Sequence, residues 1–376
     1  MNSFKKNIIP IIILAFYILE GISKYYLIYK NTRIEITRYL RLLIFILIFF
    51  YFVYKRKYTF FIMPIILFLF FLMGQYAMSF SYLNFELIIV FSKYLFVLFL
   101  LEFSYEYFKN NNNKPLFKAF NWIIIINFIF IFLGILFKIH FLKTYYGERF
   151  GYNGLFITSA TATYFYMVAL FYVFMYFLKH KKIHKLSLFV IIPSFIIGTK
   201  SIYLFILFLV IYYFIFKKPR KYIVKNIVTL ILVPGVLFGV LLIFIPSFLR
   251  INKAHGLLSA ILSYRDLLYI EKTLPFVHKN WQIVNYLFGG QGLFKNRTQM
   301  GFVDLFTFFG IVGFFIYLYA YYKTMFREKI NLSSIFIIVS FGIVVFLGGN
   351  FFYSATIAFY LIILQQILYD FHDENL

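Results

Sequence analysis

Apolar and polar positions alternate along this chain in long blocks rather than in short motifs. Runs dominated by Phe, Ile and Leu recur over the whole length, with short polar segments between them. A helix needs roughly 17–25 apolar residues to cross a bilayer. The pattern predicts an all-α, polytopic integral membrane protein with a single transmembrane domain over residues 1–376. Its twelve predicted spans, of which the second, seventh and eighth are short, lie at 8–23, 42–54, 58–74, 85–101, 119–137, 161–178, 186–197, 201–216, 226–246, 302–322, 331–347 and 351–369.

The polar segments between these spans fall into two alternating sets. One set is short and rich in Lys and Arg, as in "KHKKIHK" (179–185) and "KKPRKYIVK" (217–225). Cytoplasmic loops carry an excess of these residues, so we expect both termini in the cytoplasm and the second set outside. Loop 24–41, with three arginines, fits this topology least well. The second set comprises 24–41, 75–84, 138–160, 198–200, 348–350 and a large extracytoplasmic loop at 247–301 between spans nine and ten.

Composition agrees with this interpretation and excludes several classes of protein. The chain is 63% apolar and only 13% charged, whereas about a quarter of a globular chain is charged. A formal charge of +24 would suggest a nucleic-acid partner in a soluble protein. In a membrane protein the positive-inside bias accounts for that charge, so we expect no nucleic acid. The absence of cysteine excludes disulfides, thiolate catalysis and cysteine metal sites.

The arginines are distributed differently from the lysines. Seven of the ten arginines fall on the predicted outer side, whereas most lysines fall on the inner side. Arginine is always charged and presents a planar fork that binds phosphate in a bidentate way. The outer face is therefore expected to bind a phosphate-bearing ligand, with lipid headgroups as the alternative. The outer arginines are Arg33, Arg38, Arg41, Arg149, Arg250, Arg265 and Arg297.

The large outer loop contains the most candidate chemistry. Apolar residues at helical spacing over 257–274 predict a surface helix near the membrane, from which Arg265 and Asp266 project. The "FGGQGLFKNRT" stretch that follows should turn abruptly and allow close backbone approach to a ligand. No Lys-Ser or Lys-Thr pair follows its glycines in Walker spacing, which excludes a nucleotide loop. The stretch supplies Gly289, Gly290, Gly292, Lys295 and Arg297, and Asp304 follows at the top of the tenth span.

Two shorter outer segments add further candidates. "YYGERFGYNGLF" (145–156) places Glu148 beside Arg149. Such a pair is either self-neutralised or an acid–base group beside a phosphate clamp. The hairpin "GTKS" (198–201) brings Lys200 to the membrane surface.

These segments, in this order, resemble the O-antigen polymerase and O-antigen ligase superfamily of membrane glycosyltransferases. The resemblance covers roughly residues 140–370. It comprises "ERFGYNGLF", "GTKS", "SYRD" in the large loop, "FGGQG", an acidic residue before "FFGIVGFFIYLY", and a closing "GGNFFYSATIAFYLIIL". Lys200 stands where ligases tend to have arginine, and no histidine stands at the start of the tenth span, where ligases tend to have one. Both departures favour a polymerase over a ligase.

The resemblance implies a substrate and a location. A growing glycan on undecaprenyl pyrophosphate would be transferred, at its reducing end, to a sugar hydroxyl of a newly exported unit, giving O-antigen, capsule or exopolysaccharide. The protein would lie in the bacterial cytoplasmic membrane, in contact with membrane lipids and with a chain-length regulator protein as a partner. A lipid-linked oligosaccharide flippase is the alternative of another class. Transporters tend to show two related halves, and this chain has no visible half-repeat.

The resemblance also implies roles for the candidate residues. Fixed cations would stabilise the charge that develops on the pyrophosphate leaving group. A carboxylate would help to deprotonate the acceptor hydroxyl. No metal or other cofactor is expected, because cations hold the phosphates and the outer acids are too scattered to hold Mg²⁺. The candidate bases are Glu148, Asp266 and Asp304, and the candidate pyrophosphate ligands are Arg149, Arg265, Arg297, Lys200 and Lys295.

Overall fold

The computed structural model describes residues 7–32, 34, 36–145, 149–217, 246–292, 297–326 and 332–370. This part of the chain is helical, and its only strand-like pairing is one isolated antiparallel bridge between Lys143 and Tyr152. A 3-10 turn occupies His140–Leu142, and a π-helical turn, Tyr269–Thr273, joins α10 to α11. The helices are α1 Ile8–Tyr29, α2 Ile36–Tyr54, α3 Tyr58–Ala77, α4 Phe85–Lys109, α5 Lys114–Leu136, α6 Ser159–His180, α7 Ser187–Ile196, α8 Lys200–Lys217, α9 Pro246–Leu262, α10 Arg265–Leu268, α11 Leu274–Asn280, α12 Ile283–Phe288, α13 Gly301–Met325, α14 Leu332–Leu347 and α15 Ala355–Asp370.

The predicted class, an all-helical membrane protein, is confirmed for the described residues. Among them, seven helices (α1–α6 and α13) are long and apolar enough to cross a membrane. Four further apolar helices, α7, α8, α14 and α15, are shorter. The predicted ninth span at 226–246 lies outside the described residues except for Pro246, where α9 begins. The total of twelve spans stays a prediction.

Helices α4, α6 and α15 form the centre of the bundle. In the apolar windows of α4 and α6, 78% of the residues are buried, against 22% in α2 and 28% in α3. Helix α15 packs against both α4 and α6, and α13 packs against α3 and α4. Much of the contact is between aromatic rings, such as Phe165 and Tyr360 at 4.8 Å between centroids. Because lipid tails are as apolar as these side chains, such packing replaces hydrophobic burial as the attraction between spans.

The predicted bounds of loop 24–41 are wrong at both ends. Helix α1 continues to Tyr29 and α2 already begins at Ile36, so both Lys24 and Arg41 lie buried within helices. The charge of Lys24 ends the apolar run in sequence, but its ammonium group finds oxygen partners inside the protein. Helix α1 therefore contains Lys24, although a charged residue at the end of an apolar run normally predicts a loop.

The predicted surface helix over 257–274 is interrupted. Helix α9 ends at Leu262, and Ser263 and Tyr264 have φ values of 54° and 68°, in the left-handed region. Consecutive left-handed residues end a right-handed helix, and α10 then begins at Arg265 in a new direction. Four of the apolar residues of this pattern, Leu257, Leu258, Ile261 and Ile270, are nevertheless exposed.

Candidate functional site: a cationic cavity

A cavity of about 470 Å³ opens at one end of the helix bundle. Its walls come from four chain segments that are far apart in sequence, and each segment lies in or beside a loop of the predicted outer set. The wall residues are Tyr145, Arg149, Ser159, Ala160, Thr163, Tyr164, Thr199, Lys200, Ser201, Leu204, Ile261, Ser263, Arg265, Val344, Leu347, Gly348 and Gly349. The fold thus brings together three of the predicted phosphate ligands.

Arg149 is placed by a short hairpin between α5 and α6. The Thr144 amide donates to the Gly151 carbonyl at 2.9 Å, which joins the two arms on either side of the arginine. Gly151, with φ of 154°, passes so close to α7 that a Cβ there would lie 2.5 Å from the Ile197 carbonyl oxygen. The guanidinium of Arg149 stacks on the Tyr145 ring at 3.9 Å and donates from Nη2 to the Gly198 carbonyl at 3.0 Å.

Arg265 enters the cavity from the turn between α9 and α10. Its Nη1 donates to the Leu347 carbonyl at 2.8 Å and to the Leu262 carbonyl at 3.3 Å. Burial, together with the like charge of Arg149, lowers the pKa of Arg265 from its usual value. Arginine stays protonated in proteins because its pKa starts so high, so Arg265 retains its charge in the cavity.

Lys200, at the start of α8, is the third cation. Its ammonium donates to the Ala260 carbonyl and, at 3.3 Å, to the hydroxyl of Ser263. It also lies 5.0 Å from the centre of the Phe248 ring. These contacts attach α9 to α8. In the part of the chain that the structure describes, no carboxylate lies at ion-pair distance from Lys200.

Among the described residues, the cationic charges of the cavity have no anionic counterpart. Within the described residues, no carboxylate lies within ion-pair distance of Arg149, Lys200 or Arg265, whose protein partners are carbonyl, hydroxyl and ring groups. The Nε atoms of Arg149 and Arg265 are buried and have no hydrogen-bond partner. Buried like charges repel one another and lose hydration, which an anion of two or more charges would offset. The cavity therefore has the electrostatics of a polyanion site.

Hydroxyl groups surround these cations. Ser159, Thr163, Thr199, Ser201 and Ser263 all contribute to the wall, together with the rings of two tyrosines, Tyr145 and Tyr164. Burial raises the pKa of Tyr145, and the charges of Arg149 and Arg265 oppose that rise. The Tyr164 hydroxyl is buried and has no hydrogen-bond partner. Hydroxyls and aromatic rings beside fixed cations give a wall that can contact both a phosphate group and a polar organic group attached to it.

The structure does not bring Asp266 or Asp304 into the wall. The Oδ2 atom of Asp266 accepts a hydrogen bond from Ser259, and its Oδ1 atom is buried without a partner. Asp304 is only 2% exposed, and its Oδ1 accepts from the Thr298 amide at 2.9 Å and from the Thr298 hydroxyl at 2.8 Å. Glu148 and Lys295 lie outside the described residues.

Arg297 lies next to the cavity rather than in its wall. Its Nη2 donates to Asn350 at 3.1 Å, and its guanidinium lies 4.6 Å from the centre of the Tyr353 ring. Burial lowers the pKa of Arg297, and the nearby carboxylate of Asp304 opposes that effect. Arg297 thus contacts the segment that directly follows the wall residues Gly348 and Gly349.

The predicted glycine turn approaches helices closely. Gly289 has φ of 80°, and a Cβ there would lie 2.3 Å from the Phe308 carbonyl oxygen of α13. On its other side, a Cβ on Gly74 of α3 would lie 2.5 Å from the Gly289 carbonyl oxygen. Gly290 and Gly292 are likewise crowded by Asn285 and Phe276. The sequence predicts that the backbone of these glycines approaches a ligand closely. In the described structure it approaches other parts of the protein instead.

An apolar groove of about 510 Å³ lies between α11–α12 and α13. Its walls include Val277, Trp281, Phe302 and Phe306. Gly301, which lies between the groove residues Met300 and Phe302, donates its amide to the carbonyl of the cavity residue Gly348 at 3.2 Å, so a hydrogen bond links the two walls.

Sequence reasoning missed three features of this region. Tyr145 and Tyr164 were not singled out, because nothing distinguishes them among 34 tyrosines. The sequence assigns Lys24 to a loop. The tyrosines and leucine that follow Lys24 continue the apolar run, and this continuation is the signal that the helix extends past the lysine.

No protein-family model, curated protein or solved structure matches this chain.

If the cavity holds a polyanion, inorganic pyrophosphate should stabilise the purified protein. A ligand at about 100 times its Kd stabilises the folded state by about 2.7 kcal/mol. We expect thermal unfolding in detergent to move to higher temperature with pyrophosphate and to move less with an equal concentration of chloride. The Lys200→Ala and Arg149→Ala variants should lose most of this shift. An equal shift in wild type and in both variants would contradict a polyanion site at these residues.

Proposed function

We propose that this chain is a membrane glycosyltransferase that polymerises undecaprenyl-pyrophosphate-linked repeat units into a surface polysaccharide. The observation that carries the proposal is the convergence of Arg149, Lys200 and Arg265, from three distant segments, in one cavity without a described counter-charge. The resemblance to O-antigen polymerases adds to it, as do the hydroxyl-rich wall and the apolar groove next to the cavity. The cavity would face the outside of the cytoplasmic membrane, with both termini of the chain inside.

The proposed reaction breaks one bond and forms one. The acceptor sugar hydroxyl attacks the anomeric carbon of the donor glycan, and the bond from that carbon to the pyrophosphate oxygen breaks. The electron pair leaves with undecaprenyl pyrophosphate, whose growing charge Arg149, Lys200 and Arg265 would stabilise. No metal or cofactor is needed for this step if the cations hold the phosphates. The isoprenoid tail would lie in the apolar groove that the Gly301–Gly348 hydrogen bond links to the cavity wall.

The acceptor proton must go to a base. Asp266 and Asp304 each have one carboxylate oxygen bound by protein donors and one buried without a partner. Position favours Asp266 among the described acids, because it is adjacent in sequence to the cavity residue Arg265. Glu148 adjoins Arg149 in sequence and stays a candidate. In this account Arg297 supports the wall, and Lys295 stays a predicted pyrophosphate ligand.

Deletion of the gene in its native host separates this proposal from its alternatives. A polymerase predicts loss of long glycan chains on a gel while single repeat units still reach the final carrier, with rescue by the wild-type protein. Normal polymers that stay on the lipid carrier would indicate a ligase. Absence of all surface units, with lipid-linked precursor trapped inside the cell, would indicate a flippase and contradict the proposal.

A further inference from the structure

Helix α1 contains two charged residues one turn apart in an otherwise apolar stretch. Lys24 is 0% exposed and Glu20 is 2% exposed. Charged groups inside a membrane bundle are expensive, and their presence indicates a specific role. Neither residue lines the cationic cavity, so that role must act through other groups.

Lys24 interacts electrostatically with Glu20, but the hydrogen bonds of its ammonium group in the described structure all go to the hairpin that carries Arg149. It donates to the Asn153 side-chain oxygen at 2.6 Å, to the Gly154 carbonyl at 2.7 Å and to the Lys143 carbonyl at 3.4 Å. It also lies 5.5 Å from the centre of the Phe141 ring. A lysine has three N–H donors, and here they are divided between the two arms of the hairpin.

Neighbouring groups hold the returning arm in the same way. The carboxyl of Glu20 faces the Ile157 amide and the Thr161 hydroxyl. Asn127 of α5 accepts hydrogen bonds at Oδ1 from the Leu155 amide at 3.1 Å and from the Tyr17 hydroxyl at 3.0 Å. Helices α1 and α5 thus hold the hairpin through both of its arms.

The end of α7 also holds the hairpin, because the Tyr152 amide donates to the Ile196 carbonyl at 3.2 Å and the Thr144 hydroxyl donates to the Ile197 carbonyl at 3.1 Å. The guanidinium of Arg149 itself makes one hydrogen bond in the described structure, to Gly198, and stacks on Tyr145, which belongs to the same hairpin. Its position in the cavity therefore depends on where the hairpin lies.

We propose that Lys24 is a positioning residue that, through Asn153, Gly154 and Lys143, holds the Arg149 hairpin against α1 so that Arg149 reaches the ligand of the cavity. The part of this inference that concerns the ligand rests on the proposed function. The part that concerns the hairpin does not.

The hairpin can be observed directly because the chain contains no cysteine. Phe150, next to Arg149, is 62% exposed, so Phe150→Cys gives a single accessible site for a nitroxide label. Lys24→Met, which keeps the length but removes the ammonium, should shift the spectrum of the label toward fast motion. Lys138→Met is the matched control, since Lys138 is an exposed lysine just before the hairpin, and it should leave the spectrum unchanged.

Pyrophosphate affinity of the full-length protein gives the second readout. We expect Lys24→Met to weaken pyrophosphate binding about tenfold both in the wild-type protein and in Lys200→Ala. In Arg149→Ala it should weaken binding hardly at all, because Lys24 acts through Arg149 and the effects of coupled residues are not additive. Asn153→Ala, which removes one acceptor and keeps Lys24, should show the same dependence on Arg149. It provides the test if Lys24→Met does not fold.

The outcomes separate the two proposals. Equal weakening in the Arg149→Ala and Lys200→Ala backgrounds would show a general structural role and overturn the positioning role. An unchanged spectrum of the label in both Lys24→Met and Asn153→Ala would overturn it independently of any ligand. If the wild-type protein does not bind pyrophosphate, the proposed function fails, and the mobility of the label alone then decides whether Lys24 holds the hairpin.

Discussion

Replacing Arg265 by alanine is expected to reduce glycan elongation by about 10²–10³-fold while the protein still inserts in the membrane. The reason is that Arg265 is a half-buried residue of the cavity wall whose Nε is buried without a protein partner, so its charge is available to a leaving pyrophosphate. Arg265→Lys should retain part of the activity, because lysine keeps the charge but loses the bidentate fork. Product length on a gel, with the amount of protein in the membrane measured in parallel, checks both variants.

Arg250→Ala is the matched control for this prediction. Arg250 is an exposed arginine on α9, in the same large loop, and it does not line the cavity. We expect wild-type chain length from this variant. Wild-type chain length from Arg265→Ala, at normal abundance, would contradict the assignment of Arg265 to the site.

Replacing Gly289 by alanine is expected to lower the free energy of unfolding by about 2–5 kcal/mol. Gly289 has φ of 80° and ψ of −162°, a conformation that essentially only glycine adopts. The added methyl group would also lie 2.3 Å from the Phe308 carbonyl oxygen and 2.6 Å from the Gly310 amide nitrogen, which cannot move without shifting α13. Equilibrium unfolding of the purified protein in detergent, followed by the circular dichroism of its helices, measures the loss.

Gly342→Ala is the corresponding control. Gly342 lies within α14, and a Cβ there would meet nothing within 4 Å. Alanine favours a helix over glycine by about 1 kcal/mol, so this variant should be as stable as the wild-type protein or slightly more stable. If Gly289→Ala were equally stable, the close packing of the glycine turn against α13 would be wrong.

The helical class and most spans could be predicted from the sequence, because apolar runs of membrane length have few alternatives. Helix α3, for example, begins at Tyr58, where the apolar run begins. The segments that form the cavity could also be predicted, since the arginine bias singled out Arg149 and Arg265 and the hairpin "GTKS" singled out Lys200. Their convergence could not be predicted, because it depends on contacts between residues far apart in the chain.

Other features required knowledge of internal partners. Lys24 ends an apolar run in the sequence, but the hairpin oxygens that satisfy it are more than 100 positions away. The left-handed turn at Ser263 and Tyr264 interrupts a regular apolar pattern without a glycine or proline to mark it. Asp304 was a candidate base because it adjoins the predicted outer loop, and only the structure shows that Thr298 occupies its Oδ1.

Elongation by the purified protein tests the central proposal most directly. The full chain would be reconstituted in lipid nanodiscs with repeat units linked to undecaprenyl pyrophosphate, without any other protein. We expect a ladder of longer lipid-linked glycans and the release of one undecaprenyl pyrophosphate for each bond formed, with both lost in Arg265→Ala. Repeat units that stay single, in wild-type protein that is folded and binds pyrophosphate, would contradict the account.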